Sequence, residues 1–123
     1  MKDLRYYEEI PVNMKGSGLK DDGEFCITVS VSSGIHISLD IGVDGAYMNL
    51  TTEQLDDLIN AFKECKKEPS VVYKLFDENI VLWKEKDNYV LRFVDDYYWV
   101  AELPVKKFNY ILSSLKKARK SVR

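Results

Sequence analysis

Residues 24–43 read EFCITVSVSSGIHISLDIGV, and this stretch decides the fold because apolar side chains occupy every second position in it. From Phe25 to Val31 the alternation has the period of two that is typical of a half-buried β-strand. It resumes from Ile35 to Val43 after Ser33-Gly34, a pair that favours a hairpin turn. The stretch therefore predicts two antiparallel strands that bury the same face.

A helix follows a third predicted strand, which runs from Ala46 to Leu50 after the turn signal Asp44-Gly45. The apolar face of this helix consists of Leu55, Leu58, Ile59, Phe62 and Cys65. Thr51 and Gln54 have the spacing of a capping box at its start, and Pro69 ends it. The pattern thus predicts a strand meander followed by an amphipathic helix.

The N-terminal part of the chain is predicted to contain one strand and one loop. Leu4 to Val12 carries apolar and aromatic residues and ends near a proline, which suits a strand. Lys15 to Gly23 reads KGSGLKDDG, which has glycine punctuation and no hydrophobic periodicity. We therefore expect a loop between the first strand and the hairpin.

The second half of the chain repeats the plan. Its four predicted strands are Val71–Phe76, Ile80–Glu85, Tyr89–Val94 and Tyr97–Leu103. The turn candidates between them are Asp77-Glu78-Asn79, Lys86-Asp87-Asn88 and Asp95-Asp96. Pro104 suits the first turn of a helix that runs nearly to the C-terminus, with Val105, Phe108, Ile111, Leu112, Leu115 and Ala118 on its apolar face.

An offset of 53 residues sets Leu50 against Leu103 and aligns the apolar positions of the two helices. We therefore predict one α+β domain, residues 1–123, with antiparallel meanders each followed by a helix, in the order βββα–ββββα. The repeat halves would be 24–68 and 70–123. Chance similarity between two amphipathic helices is the alternative, and helices that follow non-equivalent strands would reject the duplication.

Composition limits the class of protein. The 123 residues suit one domain, and 46% hydrophobic with 31% charged residues is typical of a globular chain. No apolar run approaches the ~20 residues of a membrane-spanning helix, and residues 1–10 do not resemble a signal peptide. Cys26 and Cys65 lie far apart, as expected of reduced thiols. These observations predict a cytoplasmic protein without membrane association.

No motif predicts catalysis or metal binding. Gly16-Ser17-Gly18 lacks the pattern of a nucleophile elbow or a phosphate-binding loop. His36 is the single histidine and has no partner at metal-ligand spacing, so neither a zinc site nor a catalytic triad follows from it. We therefore predict a protein that is not an enzyme and binds no cofactor or metal, and the alternative is a catalytic site assembled from residues far apart in the sequence.

Aromatic residues beside carboxylates are the leading candidates for a binding surface. Two such clusters supply the candidate partner-binding residues, which are Tyr6, Tyr7, Asp95, Asp96, Tyr98 and Trp99. Tyrosine and tryptophan are frequent binding anchors, and carboxylates favour a basic partner. The hypothesis is an inhibitor or adaptor, similar in size and style to small phage or mobile-element proteins, that binds a basic surface of another protein. Core packing of these aromatics is the alternative. The oligomeric state stays open.

A second hypothesis is single-stranded nucleic-acid binding through the basic C-terminal helix. Residues 1–62 carry eleven acidic and four basic residues, whereas residues 106–123 carry seven basic and no acidic ones. The candidate residues are Lys106, Lys107, Lys116, Lys117, Arg119 and Lys120. The doubled order of meander and helix resembles the Whirly-type single-strand-binding folds, and Leu50-Thr51-Thr52-Glu53-Gln54 is similar to their helix entry. Because carboxylates flank the aromatics, we expect nucleic-acid binding to be weak at most.

Overall fold

A computed structural model describes residues 3–15, 22–42, 47–94 and 98–122. The first half contains four strands and a helix: β1 (Leu4–Met14), β2 (Gly23–Ser30), β3 (His36–Gly42), β4 (Tyr47–Leu50) and α1 (Thr52–Lys67). The second half contains the same series: β5 (Tyr73–Leu75), β6 (Ile80–Glu85), β7 (Asn88–Val94), β8 (Tyr98–Pro104) and α2 (Val105–Val122). The α+β class predicted from the sequence is confirmed.

The eight strands form one antiparallel sheet in the order β4-β3-β2-β1-β8-β7-β6-β5. Within each half every strand pairs with its neighbour in the chain, which makes two meanders of four strands each. The meanders meet where β1 pairs with β8, and that pairing is confined to Asn13 with Glu102 and Met14 with Ala101. Both helices follow the fourth strand of a meander, which agrees with the predicted duplication.

The helices pack on one face of the sheet and enclose a single core. The aromatic ring of Phe108 in α2 stacks on Phe62 of α1, with centroids 4.7 Å apart, and on Tyr89 of β7 at 3.7 Å. Alternate residues of the central strands, such as Ile27, Leu39 and Leu91, are almost fully buried beneath the helices. Each meander thus has an inner face that packs on the helices and an outer face that points away from them.

The capping box and the apolar stripe in the sequence predicted α1 correctly. Thr51 caps the helix through its hydroxyl, which accepts from the Gln54 amide, and the Gln54 side chain accepts from the Thr51 amide. Cys65 is fully buried in the apolar face of α1, and burial raises the pKa of its thiol to about 11. Both cysteines are free and buried. Cys65 therefore packs as a small apolar residue, as its position in the stripe predicted.

Several predicted boundaries were wrong. The Leu4–Val12 strand extends to Met14 and belongs to the first meander, which therefore has four strands and not three. The strand predicted over Val71–Phe76 is restricted to Tyr73–Leu75, because the chain turns at residues 76–79 and the Tyr73 hydroxyl is held by carbonyls of α1. Pro104 ends β8 and precedes α2. The turns predicted at Asp44-Gly45 and Asp95-Asp96, and most of the Lys15–Gly23 loop, lie outside the described residues.

Candidate functional site

The outer face of the first meander carries carboxylates and tyrosines in neighbouring strands. The pairing register aligns Glu9 with Cys26, Cys26 with Asp40, and Asp40 with Tyr47, in one row across all four strands. Residues two positions along a strand point to the same side, which adds Tyr7 and Glu24. We call this surface the acidic face, and its members are Tyr7, Glu9, Glu24, Asp40 and Tyr47.

The carboxylates of the acidic face lie close to one another. Glu24 has a raised pKa because its carboxyl shares a hydrogen bond with Glu9, with further contributions from desolvation and from the negative charge of Asp40. Asp40 is exposed as a residue, but partial desolvation of its carboxyl raises its pKa as well. Within the described ranges, none of these three carboxylates forms an ion pair with lysine or arginine. No basic side chain in the described ranges therefore offsets the repulsion between them.

The tyrosines of the acidic face stand out into solvent. Tyr7 is 54% exposed and Tyr47 is 57% exposed. The Tyr7 hydroxyl donates a hydrogen bond to Glu9 Oε2 at 3.1 Å, and this bond is the main reason that its pKa rises to about 12. An exposed phenol held beside a carboxylate offers an apolar ring and an acceptor oxygen to the same partner group.

The sequence-predicted aromatics do not all lie on one surface. Tyr6 points to the inner face, although Tyr7 next to it belongs to the acidic face. Tyr98 is 64% exposed on the outer face of the second meander, where its ring lies 5.9 Å from the Arg92 guanidinium. Trp99 packs against the core. Asp95 and Asp96 lie outside the described residues.

Glu8 is a carboxylate that points inward and joins β1 to α2. It accepts hydrogen bonds from Tyr110 at 2.6 Å, from Tyr6 at 2.8 Å and from Ser114 at 3.3 Å. These three donors lower the pKa of Glu8 in spite of its partial burial, and the positive charge of Lys117 acts in the same direction. Because all its polar neighbours are in the same chain, Glu8 is a structural group that fixes α2 on the inner face of β1.

Only part of the basic charge of α2 is available to a partner. Arg119 donates to Asp56 of α1 at 2.7 Å, which ties the two helices together. Lys107 donates to the backbone carbonyl of Pro11. The remaining candidate lysines are exposed along the helix: Lys106, Lys116, Lys117 and Lys120.

The sequence pattern missed four members of this shared surface: Glu9, Glu24, Asp40 and Tyr47. Each belongs to the polar half of an alternating strand, but alternation does not reveal which residues of different strands are neighbours. The hairpin turn at Ser33-Gly34 could have supplied the register between β2 and β3, since turn length sets the pairing of the strands it joins. No comparable local signal relates β1 to β2, because a loop predicted over residues 15–23 separates them.

No group of three or more His, Cys, Asp or Glu side chains among the described residues is arranged to hold a metal ion. His36 is exposed at the start of β3, and its Nε2 lies 2.9 Å from the Ser32 carbonyl oxygen. None of the helices in the described ranges has the length and apolar character needed to cross a bilayer.

Comparisons with protein-family models, with curated proteins and with solved structures gave no match to this chain. The acidic face is therefore interpreted from its own geometry.

Proposed function

We propose that this protein is a non-enzymatic binding module, an inhibitor or adaptor, that uses the acidic face to bind a basic surface of another macromolecule. The observation that carries the proposal is the row of carboxylates between two exposed tyrosines, which have no basic partner among the residues that the structure describes. The pKa of Glu24 is raised by its hydrogen bond with Glu9, by desolvation and by the negative charges of Glu9 and Asp40, and a cationic partner would offset those charges. Charge complementarity of this kind favours fast association and discriminates against acidic partners.

The position of α2 supports this choice of surface. Tyr6 and Glu8 of β1 contact α2 through the inner face, whereas Tyr7 and Glu9 point to the outer one. The acidic face and the basic helix therefore lie on opposite sides of the first meander. A basic partner surface can approach Glu24 and Asp40 from the side away from α2, whereas Glu9 shares the lining of one groove with Lys106 and Lys107.

Charge reversal on the acidic face tests the proposal. We expect Glu9→Lys with Glu24→Lys to abolish the recovery of partners that the wild-type protein captures from cell lysate, measured by quantitative mass spectrometry. The matched control is Asp57→Lys with Glu64→Lys, which makes the same change in net charge on the exposed surface of α1. Equal recovery of every partner by the two double variants would remove the acidic face from consideration.

A second candidate function, single-stranded nucleic-acid binding, is favoured by the exposed lysines of α2. The exposed aromatic residue on the same helix, Tyr110, has its hydroxyl bound to Glu8, and the exposed Tyr7 lies among carboxylates that repel phosphate. Tight single-strand binding normally combines cations with aromatic stacking. The basic helix would then give weak, salt-sensitive binding without sequence preference.

Fluorescence anisotropy with labelled single-stranded DNA ranks the two functions. We expect binding at low salt that is lost at physiological salt, because each neutralised phosphate releases a counterion. The comparison variant changes Lys116, Lys117 and Lys120 to Glu. Submicromolar affinity at physiological salt that disappears in this variant would make nucleic-acid binding the primary function.

A further inference from the structure

Only a short segment of β1 is paired on the side away from β2. β1 pairs with β2 from Leu4 to Val12, but it pairs with β8 only at Asn13 and Met14. The cause is the turn of the chain at Pro104, where β8 ends and α2 begins. Over residues 6–11, no strand within the described ranges lies next to β1 on that side. We call this side of residues 6–11 the open edge.

The hydrogen bonds at the end of β1 determine which residues face the open edge. The Lys15 amide donates to the Val100 carbonyl of β8, with N and O 2.7 Å apart, whereas the Met14 amide donates to Asp22 on the β2 side. Successive residues of a strand direct their N–H and C=O groups to opposite sides. Odd-numbered residues therefore face the open edge, which places the amide and carbonyl of both Tyr7 and Glu9 there.

Two further features agree that the backbone groups of odd-numbered residues face the open edge. Pro11 is also odd-numbered, and a proline is tolerated in a strand where its missing N–H would face no partner strand. The Pro11 carbonyl accepts a hydrogen bond from the Lys107 side chain, so it is satisfied by α2. Among the described residues, no strand pairs with Tyr7 and Glu9 on this side, so their backbone groups can pair with an incoming chain.

A groove accompanies the open edge. Its volume is about 400 Å³, and it is lined by Glu9, Ile10, Pro11, Lys106, Lys107 and Tyr110. The groove lies between β1 and the first two turns of α2, on the line that β8 would follow if it continued past Pro104. Its position along residues 9–11 suits an extended chain next to β1.

We propose that the open edge binds an extended, basic segment of a partner protein, which adds to the sheet as a strand antiparallel to β1. The inference rests on the proposed function, and it specifies how the basic partner is held. Backbone hydrogen bonds to Tyr7 and Glu9 supply a docking register that a polypeptide matches and a phosphate backbone does not. Residues of the segment that point to the outer side meet the Glu9 carboxylate, so they are basic.

The residues that alternate with the basic ones point into the groove. There they meet Ile10, the ring of Tyr110 and the two lysines Lys106 and Lys107, which repel positive charge, so they are apolar. The expected ligand therefore alternates basic and apolar residues over about five positions, the length that residues 6–11 can pair. In an antiparallel pair, the residues opposite Tyr7 and Glu9 exchange both hydrogen bonds with them. These are the basic residues of the segment.

The probe is a labelled ten-residue peptide of alternating lysine and valine, used with the full-length protein. We expect it to bind, and we expect the Tyr7 and Glu9 amides to become protected from hydrogen exchange. N-methylation of the lysine amides should weaken binding at least about tenfold, because it removes the donors that face β1. N-methylation of the valine amides should leave the affinity nearly unchanged, because those amides face away from β1. Equal effects of the two modifications would overturn the inference.

A protein variant provides an independent measurement. Glu9→Pro removes an amide from the open edge while keeping the pairing with β2, as Pro11 already does, and Glu9→Gln removes the charge alone. We expect Glu9→Pro to bind the peptide at least about tenfold more weakly than Glu9→Gln. The N-methylated peptides decide the question with the wild-type protein if Glu9→Pro does not fold.

A lysine-rich helical peptide of the same charge separates the two proposals, because it has no free strand edge. Suppose both peptides bind, charge reversal at Glu24 weakens both, and N-methylation has no effect. This result would support binding by the acidic face and contradict strand addition. Dependence on lysine N-methylation without any effect of Glu24→Lys would support strand addition and contradict the acidic face. Absence of binding by both peptides contradicts both proposals.

Self-association of the protein is a separate outcome. If it protects the Tyr7 and Glu9 amides without peptide, it would assign the open edge to a second copy and overturn the inference.

Discussion

Glu8 and Glu9 are adjacent in the chain, but their environments are opposite. Glu8 accepts three hydroxyl hydrogen bonds on the inner face, and Glu9 lies beside Tyr7 and Glu24 on the outer one. The sequence shows only a pair of carboxylates next to two tyrosines. The face that each side chain joins depends on whether the odd- or the even-numbered residues of β1 point inward. The apolar residues Ile10 and Val12 are buried, so the even-numbered residues are the ones that point inward.

The different roles of these two residues predict different costs of substitution. Glu8→Gln keeps one acceptor oxygen but places an NH₂ group against hydroxyl donors, so we expect a loss of about 1–2 kcal/mol in the free energy of unfolding at pH 7. The control, Glu9→Gln, removes a charge from a crowded exposed surface and should change this energy by less than about 0.5 kcal/mol. Urea denaturation of both variants measures the difference.

The cost of Glu8→Gln should depend on pH. Because the pKa of Glu8 is lowered in the folded protein, its ionised form contributes stability above the unfolded pKa, and that contribution is lost as the pH falls through the folded pKa. The gap between wild type and Glu8→Gln should therefore narrow in acid. A gap that stays constant down to pH 3 would show that the carboxylate charge is not what stabilises this contact.

Among the elements, the turns show most clearly what residue type does not reveal. The sequence predicted turns around Asp77 and Lys86, and both are present. Their backbone conformation was not predicted, since Phe76, Asp77, Glu78 and Lys86 all have positive φ without being glycine. Such residues cost about 1 kcal/mol or more each, and pairing of the flanking strands is what holds them in place.

Lys86 gives a clean test of this strain. It is exposed in the two-residue turn between β6 and β7, where Glu85 pairs with Asn88, and its φ is 57°. Glycine adopts this φ without steric cost, so Lys86→Gly should raise the free energy of unfolding by about 0.5–1 kcal/mol. In the control, Asp87→Gly, the residue does not have a positive φ, so the glycine should be neutral or destabilising. Thermal denaturation of both variants distinguishes them. A gain at both positions would mean that backbone strain at Lys86 is not the cause.

The hydrophobic periodicity of the sequence predicted the strands and helices, but it did not predict how the two meanders are joined. The alternation in residues 24–43 and the helical stripes are local signals, and they located the hairpin and both helices. Which strands meet across the middle of the sheet depends on non-local contacts that no local pattern encodes. The open edge results from that unpredicted junction. The acidic face depends on strand register, so only Tyr7 of its members was among the sequence-predicted binding residues.

Besides the short pairing of β1 with β8, the meanders meet where Trp99 of β8 packs over Gly42 at the end of β3. A Cβ atom at Gly42 would lie 2.8 Å from the indole ring, which is closer than packed carbon atoms approach. The φ of Gly42 is also +127°, a conformation that favours glycine. The chain thus requires glycine at this junction for two separate reasons, steric contact and backbone conformation.

A second glycine allows these reasons to be separated. Gly34 in the β2–β3 turn has a φ of +116°, but a Cβ atom there would have no atom within 4 Å. Gly34→Ala should therefore cost about 1 kcal/mol from backbone strain alone. Gly42→Ala adds the steric conflict with Trp99 and should cost about 2–4 kcal/mol in total, because overpacking adds about 1–3 kcal/mol. Denaturant unfolding of both variants gives the comparison. Equal costs would show that the Trp99 ring moves aside freely, so that this contact does not fix the two meanders relative to each other.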